Sequence, residues 1–155
     1  MTKIFTIGFS GKSPEAFLDV LNAARISCVW DIRQWRTSTY VPYYNGENLV
    51  NVLGNHYEYH PEFAPTSDIL AGYKDKKINW CEYEKMYREL LQKRNPLQNC
   101  DISKLDRICL FTCRGKMYHC DRTFYEFLPL CERFSGRRFI QNNFNQRIKF
   151  VSSVC

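Results

Sequence analysis

Two short apolar runs on either side of one amphipathic pattern open this chain, and they limit it to a small set of folds. Residues 4–8 read IFTIG and residues 26–32 read ISCVWDI, and each run suits one buried strand. Between them, Ser13 and Pro14 suit the cap and the first position of a helix, and apolar residues then recur at helical spacing. Parallel strands need such a crossover, so the pattern predicts a right-handed βαβ unit.

The rest of the chain continues the alternation of strand and helix patterns. It shows no internal repeat and no second domain, so residues 1–155 are predicted to form a single domain. The predicted fold class is a three-layer α/β sandwich with a mostly parallel, Rossmann-like sheet. In chain order, the further predicted elements are helices over 47–53, 66–74 and 79–94, strands at 57–60 and 107–113, a helix after Asp121, a strand at 138–140, and a tail over 147–155 that pairs at a sheet edge.

Composition narrows the cellular setting and the partners. No apolar run is long enough for a transmembrane helix, and the first residues are too poor in apolar side chains for a signal peptide. We therefore expect a cytoplasmic protein with no membrane partner, whose eight cysteines stay reduced. The net charge of +6 favours anionic partners such as phosphates, nucleotides or nucleic acid. The oligomeric state is left open.

Polar residues follow three of the predicted strands. Ligands of open parallel sheets bind at the carboxyl ends of the strands, so these loops predict one cationic polar pocket. The candidate residues are Ser10 and Lys12 after the first strand, Asp31, Arg33, Arg36, Tyr40 and Asn45 after the second, and Cys113, Arg114, His119, Cys120 and Arg122 after the late strand.

The first two loops each allow a functional and a structural interpretation. The GFSGK turn is suited to cradling a phosphate with its amides and Lys12, or is an ordinary strand-to-helix turn, and it matches neither glycine-rich nucleotide motif. Asp31 and Arg33 point to the same side of an extended segment, which suits either substrate orientation or a structural ion pair. Around Arg36 the loop is aromatic, as expected for a surface that stacks bases or for rings packed over the sheet edge: Trp35, Tyr40, Tyr43 and Tyr44.

The late loop, CRGKMYHCDR, is the candidate for nucleophilic chemistry. Neighbouring cations are expected to lower the pKa of Cys113, and His119 is placed to act as its base. The spacing does not fit a phosphatase or rhodanese loop. A zinc site using Cys113, His119 and Cys120 is the alternative, but adjacent residues make poor joint ligands and there is no C-x-x-C motif. We therefore expect neither metal nor cofactor, and a buried thiol in a solvated basic loop remains an equal alternative.

Four stretches of the chain, in this order, resemble the domain of unknown function 488 family of small prokaryotic α/β proteins: IFTIGFSGKSPEAFLDVL, VWDIRQWRTSTYVPYYNGENL, YEYHPEFAP and CRGKMYHCDR. The chain departs from the family pattern at Phe9, where histidine is frequent, at Gly115, where glutamate is frequent, and at Asp121, which replaces the histidine of Cys-His-Arg. The resemblance implies a fold and a pocket position but no reaction. It carries the family's polar positions to Ser10, Asp31, Arg33, Tyr40, Asn45, Glu62, Cys113, Cys120 and Arg122.

The sequence thus predicts a protein with a cationic pocket that binds a phosphate-bearing ligand, either a small molecule or nucleic acid. Whether the protein is an enzyme is left open. In a catalytic protein, Asp31 is the expected general base and Cys113 or Cys120 the nucleophile. The alternatives are a non-catalytic nucleic-acid-binding module and a metal-responsive or redox-responsive protein.

Overall fold

A computed structural model describes residues 2–98, 102–112, 137–140 and 149–153. The predicted opening of the chain is confirmed: strand β1 spans Thr2–Gly8, helix α1 spans Pro14–Ala23 and strand β2 spans Cys28–Asp31. The Ser13 hydroxyl caps α1 by accepting a hydrogen bond from the backbone N–H of Ala16 at 3.2 Å.

The remaining elements lie close to their predicted bounds. Asn79 and Glu82 form a reciprocal capping box at the start of α4, and Asn95 ends that helix in the left-handed conformation, with a φ of 41°. The predicted helix after Asp121 lies outside the described residues. The elements after β2 are α2 (Gly46–Leu53), β3 (Tyr57–Tyr59), α3 (Ser67–Lys74), α4 (Trp80–Arg94), β4 (Ile108–Thr112), β5 (Arg137–Ile140) and β6 (Lys149–Ser153).

The described strands form one sheet in the order β3-β2-β4-β1-β6-β5. The first four strands in this order are mutually parallel, while β6 runs antiparallel to both β1 and β5. The expected α/β sandwich with a mostly parallel sheet is confirmed. The expectation that the tail pairs at a sheet edge is wrong, because β6 lies between two strands and pairs on both sides, leaving β5 at the edge.

Side chains of the central strands alternate between two cores, one on each face of the sheet. Along β4, Cys109 and Phe111 face α1 and α2, whereas Ile108 and Leu110 face α3 and α4. Cys109 is therefore a small buried apolar residue, as predicted. Cys28 is only half-buried, and its burial raises the pKa of the thiol to about 11.

Among the described helices, none combines the length and the apolar character needed to cross a bilayer. Because β1, β2, β3 and β4 are parallel, their carboxyl ends lie at one edge of the sheet. We call this edge the rim. It consists of residues 9–12, 31–36, 59–62 and 111–112.

Candidate functional site

Asp31 lies at the end of β2 and is completely buried. Its Oδ1 accepts hydrogen bonds from the backbone N–H and the Nε of Arg33, at 3.1 and 2.8 Å. Its Oδ2 accepts from Arg33 Nη2 at 2.6 Å and from the hydroxyl of Tyr57 at 2.8 Å. Both carboxylate oxygens are thus fully engaged, and this geometry favours a positioning role for Asp31 over the predicted role as general base.

Arg33 links the ends of three strands. Its guanidinium carbon lies 4.5 Å from the ring centroid of Phe111, at the end of β4, and 5.7 Å from that of Phe9, after β1. The side chain is buried, and the ion pair with Asp31 holds it by Nε and Nη2. Nη1 donates to none of the residues that the structure describes. Two aromatic faces and one carboxylate therefore fix this cation, and among the described residues its Nη1 edge has no acceptor.

Arg36 is a second cation tied to the same carboxylate. Its guanidinium carbon lies 3.9 Å from the ring centroid of Tyr59, and the guanidinium donates a hydrogen bond to the hydroxyl of Tyr57, which raises the pKa of Arg36. Tyr57 therefore bridges Arg36 and Asp31. Burial, above the other contributions, raises the pKa of Tyr57 to about 12, so the bridge stays protonated at neutral pH.

The loop after β1 lies beside this cluster and is built differently. Lys12 donates from Nζ to the carbonyl oxygen of Gly8 at 2.9 Å, and its own carbonyl accepts from the hydroxyl of Tyr44 at 3.0 Å. Phe9 stacks on Tyr44 with ring centroids 5.0 Å apart. Of the two interpretations of the aromatic residues in the second loop, packing over the sheet edge fits Tyr44, whose ring packs in this cluster and which is only 3% exposed.

The other predicted residues of the second loop lie nearer the solvent. Tyr40 is 94% exposed, and Trp35 and Tyr43 are also exposed. Asn45 accepts a hydrogen bond from the backbone N–H of Ser38 at 2.7 Å and so closes the loop. Ser10, in the first loop, is exposed as well.

Glu62 takes part in a cluster whose central residue, His60, the sequence analysis missed. His60 Nδ1 lies 2.7 Å from Glu62 Oε1, and its Nε2 lies 3.0 Å from Glu58 Oε2. The imidazole also packs on Trp30, with ring centroids 4.1 Å apart. The available signal was the spacing of Glu58 and His60, because alternate residues of an extended segment share a side, whereas Glu62 lies in a 3₁₀ turn over Pro61–Phe63.

A comparison with known protein families shows which family the chain belongs to. A family model described as Domain of unknown function DUF488 matches residues 13–126. The protein belongs to this family. The predicted resemblance is thereby confirmed, and the DUF488 match includes Asp31, Arg33, Arg36 and the late cysteine loop. No curated protein and no solved structure matched the chain.

The late loop, which was predicted to supply the third group of polar residues to the site, lies outside the described residues. This applies to five residues of the DUF488 match: Cys113, Arg114, His119, Cys120 and Arg122. Within residues 2–98 and 102–112, together with the two late strands, no group of three His, Cys, Asp or Glu side chains is arranged to hold a metal ion. The described part of the site therefore consists of the Asp31 cluster and the two loops beside it.

Phe9 stands where the resemblance implies a histidine, and it lies before residues 13–126, which the family model matches. Its ring lies 5.7 Å from the ring of Phe111 and stacks on Tyr44, so it belongs to an aromatic group that also borders Arg33. A ring that donates no hydrogen bond is consistent with this surrounding. The residue at position 9 thus supports the arginine through its aromatic face.

Proposed function

We propose that this protein binds a phosphate-bearing ligand, a nucleotide or a nucleic acid, at the rim of its sheet in the cytoplasm. The observation that carries the proposal is that two guanidinium groups share one carboxylate. Arg33 contacts Asp31 directly and Arg36 reaches it through Tyr57. Arg33, Arg36 and Asp31 together therefore carry one net positive charge, at the edge where parallel sheets bind their ligands.

Arg33 is suited to anion recognition because its geometry is fixed before a ligand arrives. The two hydrogen bonds to Asp31, at 2.8 and 2.6 Å, set the plane of the guanidinium. The buried surroundings lower the local dielectric constant, so a charge-assisted hydrogen bond there is stronger than in water. A planar guanidinium also matches phosphate oxygens in geometry better than a lysine does.

Arg36 is fixed from two sides, by the ring of Tyr59 and by the backbone of α2. Its carbonyl accepts a hydrogen bond from Gly46 N–H at 2.9 Å. A Cβ on Gly46 would lie 3.0 Å from Arg36 Nη1 and 3.2 Å from Arg36 Cβ, so a larger residue at this position requires Arg36 to shift. The start of α2 therefore positions the second cation of the proposed site.

Isothermal titration of the full chain with a nucleoside triphosphate tests the proposal. We expect binding that weakens as salt rises, and an affinity about tenfold lower in Arg36→Gln, because a charge-assisted contact contributes about 1.5–3 kcal/mol. Gly46→Ala, which displaces Arg36 without removing its charge, should lower the affinity in the same direction. Lys93→Gln, on the exposed end of α4, is the matched control and should bind like the parent. Equal affinities of Arg36→Gln and Lys93→Gln would contradict the proposal.

A further inference from the structure

Trp35 differs from the other two tryptophans of the chain. Trp30 is 5% exposed in the core, and Trp80 stacks on Tyr83 with ring centroids 5.1 Å apart. Trp35 follows β2 and is 53% exposed, although its ring is large and apolar. An exposed tryptophan in a loop of this kind is a frequent contact residue for partners.

Lys74 holds the ring of Trp35 in place. Its Nζ lies 5.6 Å from the ring centroid, at cation–π distance, and α3 supplies it from its last turn. At the other end of α3, the side chain of Gln34 is hydrogen-bonded to Ser67 at 3.5 Å, which draws this loop along the helix. Trp35 contacts the ammonium group and still has about half of its surface in solvent, so its indole is accessible to a flat ligand group.

A cationic hollow of about 510 Å³ lies between the end of α3 and the start of α4, and it shares Lys74 with the contact to Trp35. Lys74 and Lys76 both line it. Lys77 pairs with Asp75 at 3.2 Å, whereas no carboxylate of a described residue lies within ion-pair distance of Lys74 or Lys76. The hollow is lined by Tyr73, Lys74, Lys76, Ile78 and Asn79.

We infer that this stacking face, formed by Trp35, Lys74 and Lys76, binds single-stranded nucleic acid. One base stacks on the indole and the adjacent phosphates face the two lysines. Arg36 directly follows Trp35 in the chain, so a nucleic-acid strand that stacks on the indole continues towards Arg36 and Arg33. The inference rests on the proposed function for that continuation, in which the next phosphate contacts the two arginines.

The composition of the loop favours a strand with unpaired bases over other anionic partners. Two further rings of the same loop, Tyr40 and Tyr43, are 94% and 67% exposed, with Arg36 between Trp35 and Tyr40 in sequence. An acidic peptide matches the lysines but offers no planar group to the rings. A duplex buries the faces of its bases, so it cannot stack on the indole.

Fluorescence titration of the full chain tests the inference with three probes: an oligothymidylate, an abasic strand of the same length, and inorganic phosphate. We expect the oligothymidylate to quench tryptophan emission and to bind more tightly than the abasic strand. Trp35→Ala should weaken oligothymidylate binding at least about fivefold and leave abasic binding nearly unchanged. Lys74→Gln should weaken both strands and reduce the salt slope by about one. Val52→Ala, at another exposed apolar position on α2, is the control and should change nothing.

The outcomes separate this inference from the proposed function. If Trp35→Ala binds oligothymidylate like the parent while Arg36→Gln loses affinity, the stacking face is refuted and the phosphate site at the rim stands. If Trp35→Ala loses affinity while Arg36→Gln does not, the stacking face stands and the rim site is refuted. Three results would each overturn the stacking face. The parent chain could bind the oligothymidylate and the abasic strand equally, or bind neither of them. Polyglutamate could also compete for the protein as well as the oligothymidylate does.

Discussion

The loops after β1 and β2 follow strands of the same parallel sheet on either side of β4, yet they use their cations in opposite ways. Lys12 turns back and donates to the carbonyl of Gly8, inside its own loop. Arg36 is held through side chains of another strand, Tyr57 and Tyr59, and keeps its charge at the rim. A position at the carboxyl end of a strand therefore does not by itself make a ligand-binding residue.

The start of α1 reinforces this contrast. Ser13 caps the helix, and Glu15 lies in its first turn, where a hydrogen bond to backbone lowers the pKa of that carboxyl. A negative group thus already occupies the positive end of the helix dipole, where a phosphate would otherwise lie. We therefore place the proposed anion site in the second loop and not in the GFSGK turn.

Asp31→Asn is expected to have the largest effect, because the second loop depends on this carboxylate. The amide leaves Arg33 buried beside a neutral group, and its NH₂ faces donors in place of acceptors. Removing one partner of a buried ion pair costs about 3–5 kcal/mol of the free energy of unfolding. Urea denaturation measures it, with Asp19→Asn on the exposed side of α1 as the control. A loss no larger than that of the control would show that the second loop needs no fixed anion.

Tyr57→Phe is expected to have the next largest effect, since it removes the bridge between Asp31 and Arg36 but keeps the ring. A hydrogen bond to a charged group contributes about 1.5–3 kcal/mol, so the free energy of unfolding should fall by roughly that amount. Tyr59→Phe is the matched control, because its hydroxyl reaches the carbonyl of Gln34 only at 3.4 Å and should contribute less.

Tyr57→Phe should also change how the stability of the protein depends on pH. The pKa of Tyr57 is about 12 in the folded chain against an ordinary value of 10.0, so the folded state keeps the proton longer than the unfolded state does. Stability from this group is complete below pH 10 and is lost as the pH rises towards 12. Tyr57→Phe should therefore flatten the alkaline part of the stability curve. An unchanged curve would mean that the hydroxyl is not held as described.

Much of the fold was predictable from sequence because it depends on residues that are close together in the chain. Periodic apolar residues and the cap at Ser13 marked helices to within a residue or two. The pairing of Asp31 with Arg33 followed from their spacing on an extended segment. These features need only neighbours in the chain.

The features that the sequence left open or predicted wrongly depend on which elements contact each other in the fold. Tyr44 reads like its exposed neighbour Tyr43 and becomes buried only because it packs against Phe9 and Phe17. Tyr57 could not be linked to Asp31 without knowing that β3 pairs with β2, and the position of β6 required the same knowledge of strand order. The order in which distant strands pair could not be read from the local patterns of this sequence.

Lys12→Met is expected to have the smallest effect and tests the contrast between the two loops most directly. The variant removes a partly buried hydrogen bond to the carbonyl of Gly8, so the free energy of unfolding should change by less than about 1 kcal/mol. Its affinity for a nucleoside triphosphate should stay within about twofold of the parent, because the ammonium group is already engaged within its turn. Arg36→Gln, measured in the same titration, should lose about tenfold. If Lys12→Met loses as much as Arg36→Gln, both loops bind the ligand, and the hydrogen bond to Gly8 is exchanged for one to phosphate on binding.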